Sequence, residues 1–256
     1  MASAIIAGLK KVAPSLELHV VEPFAEARER IAAVGAVVYE VPVRAATEHA
    51  DAVVLATKPQ TLKDACAQLA PHLQGELIVS IAAGTRVASI AAWLEGKTSR
   101  IVRTMPNTPA LVGLGITGVF APTSLPREDV DTAMQLMRAC GEVIRVDDEA
   151  MIDAVTAVSG SGPAYVFHWI ESMIAAAKNV GFNDTDARQL VLATLKGATA
   201  LAEASAESPA TLRERVTSKG GTTAAALAVI GERGVQQALI DAVAAARDRG
   251  RELGQA

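Results

Sequence analysis

The run VTSKGGTTAAAL at residues 216–227 gathers two adjacent glycines, three kinds of hydroxyl position and the start of an alanine-rich helix. Gly220 and Gly221 allow backbone angles that other residues avoid, and Thr222 or Thr223 can cap the helix that the alanines begin. Successive backbone N–H groups at such a point form a nest for an anion, reinforced by the helix dipole. A small carboxylate fits that description. Ser218 and Thr223 add hydroxyls that donate to a carboxylate or accept from a nearby nitrogen. An ordinary Gly-Gly turn with a threonine cap accounts for the same residues. The segment SGSGPAYV at 159–166 is a second Gly/Ser-rich entry to a helix. Gly160 and Gly162 there suit close backbone packing, Pro163 suits a first helical turn, and an anion nest is the other reading.

Further polar and small residues stand at the ends of apolar runs. LELHVVE ends on Glu22, VVLATKP on Lys58 and Pro59 after Ala56, and IVSIAAG on Ala82, Ala83 and Gly84. Ligands in open α/β sheets bind at the carboxyl ends of strands, and an acidic residue closing the second strand takes the ribose hydroxyls of a dinucleotide. Glu22 has that role or is a solvated residue before Pro23. Lys58 meets ribose or phosphate oxygens, or is a surface charge. Ala82, Ala83 and Gly84 let a flat ring approach the backbone, or serve helix–strand packing. In MPNTP, Asn107 offers a carboxamide that could pair with another amide, or it caps a rigid turn between prolines.

These residues need a scaffold, and the pattern supplies one. Short β-branched runs at 16–22, 36–41, 51–59, 76–84, 100–107, 115–122 and 142–146 alternate with stretches whose apolar spacing fits amphipathic helices. Such alternation predicts a doubly wound α/β domain with a mostly parallel sheet. Past Asp147 no strand pattern returns and helices follow to the end, so the domain boundary is expected at 146/147: a dinucleotide-binding domain over 1–146 and an all-helical substrate and dimerisation domain over 147–256. The second part carries more apolar side chains than one small bundle hides, which predicts packing against a second copy.

Bulk properties narrow the function. Among 256 residues, half are hydrophobic and 3% aromatic, and the net charge is −4. That balance argues against a nucleic-acid partner. Cys66 and Cys140, the two cysteines, suit buried thiols in a reducing compartment. No stretch has the length of a membrane span and no leader pattern stands at the start, so a cytoplasmic protein is expected. The opening MASAIIAGLKK reads as a helix without the strand and glycine turn that a dinucleotide fold normally sets before it. On fold logic those would precede Met1.

Taken in order and spacing, VVLATKP, SIAAG, RTMPNTPALVG, AVSGSGPAYVF and VTSKGGTTAAAL resemble the pyrroline-5-carboxylate reductases across nearly the whole chain. That family opens on a strand and a Gly-Gly-Gly-Asn-Met-Ala turn, whose last two letters match Met1 and Ala2. Lys219 stands where many relatives have proline. The resemblance implies the last step of proline biosynthesis, reduction of a cyclic imine by NADPH or NADH, with self-association as a dimer or higher oligomer. It assigns the substrate carboxylate to Ser218, Gly220, Gly221, Thr222 and Thr223, with the Thr223 hydroxyl holding the imine nitrogen. It assigns cofactor contacts to Ala56, Lys58, Pro59, Ala82, Met105 and Asn107 beside Glu22, whose charge predicts no strong preference for NADPH, and it implies no metal. Two other readings stand beside it. A β-hydroxyacid dehydrogenase would need a lysine on the helix GPAYVFHWIESM, which has none; a non-catalytic dimeric remnant would have lost its cofactor site.

Overall fold

Helices alternate with strands through the first 146 residues of the computed structural model, which describes residues 1–254. The order is α1 (Ala2–Val12), β1 (His19–Val21), α2 (Ala25–Ala32), β2 (Val37–Tyr39), β3 (Val53–Leu55), α3 (Pro59–Leu69), β4 (Ile78–Ser80), α4 (Val87–Trp93), β5 (Ile101–Met105), β6 (Gly115–Phe120), α5 (Arg127–Arg138) and β7 (Gly141–Val146). Every expected strand is present but most are shorter, because the runs read from sequence include residues at both ends that stand outside the ladder.

The strands form two sheets. β1 pairs with β2 in parallel, and a five-stranded sheet runs β3-β4-β5-β6-β7. Its ladders are parallel except β5 with β6. The reason is local: only a 3-10 turn at Thr108–Val112 and the left-handed Gly113 (φ 74°) join β5 to β6, too little chain for a parallel crossover. Neighbouring side chains on the central strands point to opposite faces and supply two cores. Val79 and Val102 join Ile5, Val119 and Met137 on one face, while Ile78 and Ile101 join Leu62, Ile90 and Leu94 on the other. Cys66 and Cys140 are buried and unpaired, and burial pushes the Cys66 thiol up to about 11.

From residue 147 the described chain is helical: α6 (Met151–Val155), a π turn at Thr156–Gly160, α7 (Gly162–Asn179), α8 (Asp184–Ala204), α9 (Pro209–Arg215), α10 (Thr222–Glu232) and α11 (Val235–Leu253). The compact units divide elsewhere than at 146/147. One comprises Met1–Pro163 and the end of the chain from Ala245, the other Ala164–Ala244. α6 and the π turn stay with the sheet because they dock on it. The methyls of Val155 occupy the place where a side chain on Gly118 of β6 would stand, 2.7 Å from its Cβ, and Met105 does the same at Gly160. In the second unit Asn183 and Ser208 cap α8 and α9 by accepting from the backbone N–H of Asp186 and Thr211.

Candidate active site

Three of the segments singled out in the sequence share one edge. Ala56, Lys58 and Pro59 follow β3, Ala82 follows β4, and Met105 and Asn107 end β5; these three strands are adjacent and parallel, so their carboxyl ends open on the same side of the sheet. Pro59 is the first residue of α3 and Lys58 its exposed N-cap, which contributes no side-chain capping bond. Ala82 is buried, and its N–H donates to Ser80 Oγ at 3.3 Å. Gly84, at φ 71°, bends the chain away two residues later, a conformation that suits glycine.

Asn107 differs from the capping reading of its carboxamide. It holds the N-cap position of the 3-10 turn without a side-chain capping bond. Its Oδ1 accepts from the N–H of Ile116 at 3.0 Å, and its Nδ2 donates to the carbonyl of Ser159 at 3.1 Å. The side chain ties β6 and the π turn to the end of β5, and one amide hydrogen remains for another acceptor.

Glu22 directly follows β1 in the smaller sheet. Its backbone N–H continues the ladder to Tyr39, and its carboxylate accepts from the N–H of Phe24 at 3.0 Å, which turns the side chain back over the loop. Arg28 donates to the carbonyls of Glu22 and Pro23 at 2.8 and 2.7 Å and fixes the same turn. A carboxylate at one strand end, an exposed ammonium and small residues at three others form a donor and acceptor set that fits a dinucleotide.

The Gly-Gly run lies in the helical unit. Gly220 is left-handed (φ 73°), and Gly221 is the N-cap of α10. This corrects the expectation of a threonine cap: Thr222 is already the first helical residue, and no side chain caps the helix. Gly221 fills the cap because Ser218 Oγ stands 2.4 Å from where its Cβ would be. Among the described residues, the hydroxyls of Ser218, Thr222 and Thr223 have no hydrogen-bond partner, whereas the N–H of Gly221 already donates to the Ser218 carbonyl at 3.1 Å, which corrects the expectation of a free N–H there. A groove of about 720 Å³ in the same unit is lined by Arg213, Glu214, Thr217, Leu227, Ile230 and Ile240 and involves none of residues 218–223.

A buried ionic set was not visible in the sequence. Arg103 of β5 is 0% exposed; its Nη2 donates to Asp153 Oδ1 at 3.1 Å and its Nη1 lies 3.4 Å from Glu149 Oε1. Asp153 Oδ2 takes Arg86 Nη2 at 2.6 Å. Burial pushes the Arg103 guanidinium below its ordinary range, and Asp153 and Glu149 pull it back. The one available signal was a cation inside the apolar run RIVRTM. Among the described residues no group of three His, Cys, Asp or Glu side chains is placed to hold a metal, and no helix is long and apolar enough to cross a membrane.

Comparison with known proteins gives these features a family. Residues 149–253 match the family described as pyrroline-5-carboxylate reductase dimerisation, and residues 1–84 match the one described as NADP oxidoreductase, coenzyme F420-dependent. The helical half therefore carries a self-associating domain. The chain is 43% identical to the pyrroline-5-carboxylate reductase of Pseudomonas aeruginosa over 100% of its own length and 94% of that protein's. It is similar to the structure of a pyrroline-5-carboxylate reductase from Coxiella burnetii, with a TM-score of 0.90 and 35% identity over 98% of this chain and 94% of that one. The Plasmodium falciparum pyrroline carboxylate reductase, solved with NADP bound, gives 0.86 and 26% over 98% and 94%. This agreement runs through both the sheet and the helices, and the chain belongs to the pyrroline-5-carboxylate reductase family.

Proposed function

We propose that this chain reduces 1-pyrroline-5-carboxylate to L-proline, the last step of proline biosynthesis, as a homodimer or higher oligomer in the cytoplasm. Residues 1–146 serve the nucleotide, and residues 147–256 serve the substrate and self-association. The observation that carries the reading is the open start of α10: no side chain caps it, Gly220 turns the chain into it, and the neighbouring hydroxyls have no partner among the described residues. Such a terminus favours an anion of carboxylate size.

In this reading the N–H groups of Thr222 and Thr223 receive the substrate carboxylate, Gly221 joins them once its N–H leaves the Ser218 carbonyl, Gly220 shapes the turn and Ser218 donates a further hydrogen bond. Thr223 is the catalytic residue: its hydroxyl accepts from the protonated imine nitrogen and keeps the ring oriented. An imine that binds already protonated needs no side-chain acid. NADPH or NADH, when bound, supplies the two electrons. Glu22 accepts from the adenosine ribose, Lys58 meets ribose or phosphate oxygens, and Ala56, Pro59 and Ala82 let the nucleotide lie close to the backbone. Met105 and the remaining amide hydrogen of Asn107 would hold the nicotinamide end of the cofactor. What the chain contributes is mainly alignment of donor and acceptor with water excluded.

The test is Thr223→Ala beside Thr223→Ser. Loss of a hydrogen bond to a charged nitrogen lowers turnover about 10- to 100-fold, with nucleotide affinity unchanged and with recovery in the serine variant. Unchanged turnover in Thr223→Ala removes this residue from the mechanism.

A further inference from the structure

Three segments of the first unit converge on one carboxylate. Asp153, 1% exposed on α6, bridges Arg103 Nη2 at 3.1 Å and Arg86 Nη2 at 2.6 Å. Arg103 stands two residues before Met105, and strand periodicity puts both on the same face of β5. Arg86 stands two residues after Gly84, where the loop bearing Ala82 becomes α4. Glu149 completes the grip, since its Oε1 accepts from the N–H of Val87 at 2.8 Å and faces Arg103 Nη1 at 3.4 Å.

The end of the chain closes over this set. A side chain on Gly84 would stand 3.2 Å from Leu253 Cβ, one on Gly254 would stand 3.0 Å from the Gly84 carbonyl, and Gly250 faces Asp153 at 3.7 Å. The loop between Ala82 and Arg86 is thus in contact with the ion-paired set and with the last turn of α11. Two arginines balance two carboxylates, so removing one member leaves an odd charge in a buried place. Apolar side chains would fill such a space with equal or greater stability. What they would not do is fix the angle between the loop after β4 and the end of β5.

We propose that Asp153 is a positioning residue for the cofactor: through Arg86 and Arg103 it holds the loop carrying Ala82 and the strand end carrying Met105 and Asn107 in one fixed relation. The proposal rests on the reading of those residues as nucleotide contacts. It predicts that the ion pairs govern nucleotide affinity separately from stability.

The experiment compares the full-length wild type with Asp153→Asn, Arg86→Gln and the double variant Arg86→Met/Asp153→Asn. NADH and NADPH dissociation constants, KM for nucleotide and imine, kcat and thermal midpoint are measured for each. Both single variants are expected to weaken nucleotide binding and raise its KM about tenfold, with kcat at saturation changed less than about threefold. The double variant loses one charge of each sign; it regains thermal stability and keeps the weak nucleotide binding. Nucleotide affinity within about twofold of wild type in the variants overturns the proposal, as does affinity that recovers together with stability in the double variant. Arg86 is partly exposed, so Arg86→Gln decides the matter if Asp153→Asn does not fold. A wild type that binds neither nucleotide overturns the cofactor reading itself and this proposal with it.

Discussion

In the unit built on the sheet, apolar side chains are buried on both faces of the central strands; in residues 164–244, Ala187 and Val191 are the buried ones among those described. The contrast is not one of composition. The helical unit carries Leu192 at 37% exposure, Leu201 at 58% and Leu239 at 55%, side chains of the kind that fill the other unit's core. A sheet covered by helices closes its core within one chain. Helices α7 to α11 leave apolar faces open, as expected of a self-associating domain whose core is completed by another copy.

The largest expected effect comes from spoiling the open faces. Leu239→Asp with Ile240→Asp puts two carboxylates on the open apolar faces, and burying them against another copy would cost several kcal/mol each. Light scattering should show dissociation, and reductase turnover should fall with it; an intact, active oligomer would take these side chains out of the interface. A cut in the other core should do the opposite. Leu62, 0% exposed, loses about 2–5 kcal/mol of unfolding free energy on replacement by alanine, with oligomer size unchanged. A smaller oligomer in Leu62→Ala would mean that the two units are not independent in this way. The smallest effect is at a cap: Asn183→Ala removes the acceptor for the Asp186 N–H and costs about 1 kcal/mol, seen in denaturant unfolding of the helical signal. No change there would mean that α8 is held by packing alone.

Much of this was legible in the sequence because local chemistry decides it. β-branched runs made every strand readable, Pro59 opens α3 as a proline at the first helical position does, and Gly181 and Gly234 end helices with positive φ. What required the fold was set at a distance. The antiparallel β5–β6 pair follows from the length of the link between them. Asn107 is committed to Ser159, 52 residues on, and Arg103 to Glu149 and Asp153, 46 and 50 residues on. Nothing near Arg103 marks it as one end of an ion pair. The cap at α10 went to Gly221 and not to a threonine because the Ser218 hydroxyl occupies the space a side chain there would need.

This chain is a pyrroline-5-carboxylate reductase, and that identity is open to direct test. Its most direct test follows oxidation of NADH and of NADPH by the absorbance of the reduced nicotinamide, with 1-pyrroline-5-carboxylate and the purified chain, and quantifies L-proline in the same samples. Proline formed mole for mole with nucleotide oxidised, without a large preference for NADPH, is the predicted result. Nucleotide oxidation without proline, or none with either nucleotide, would contradict it.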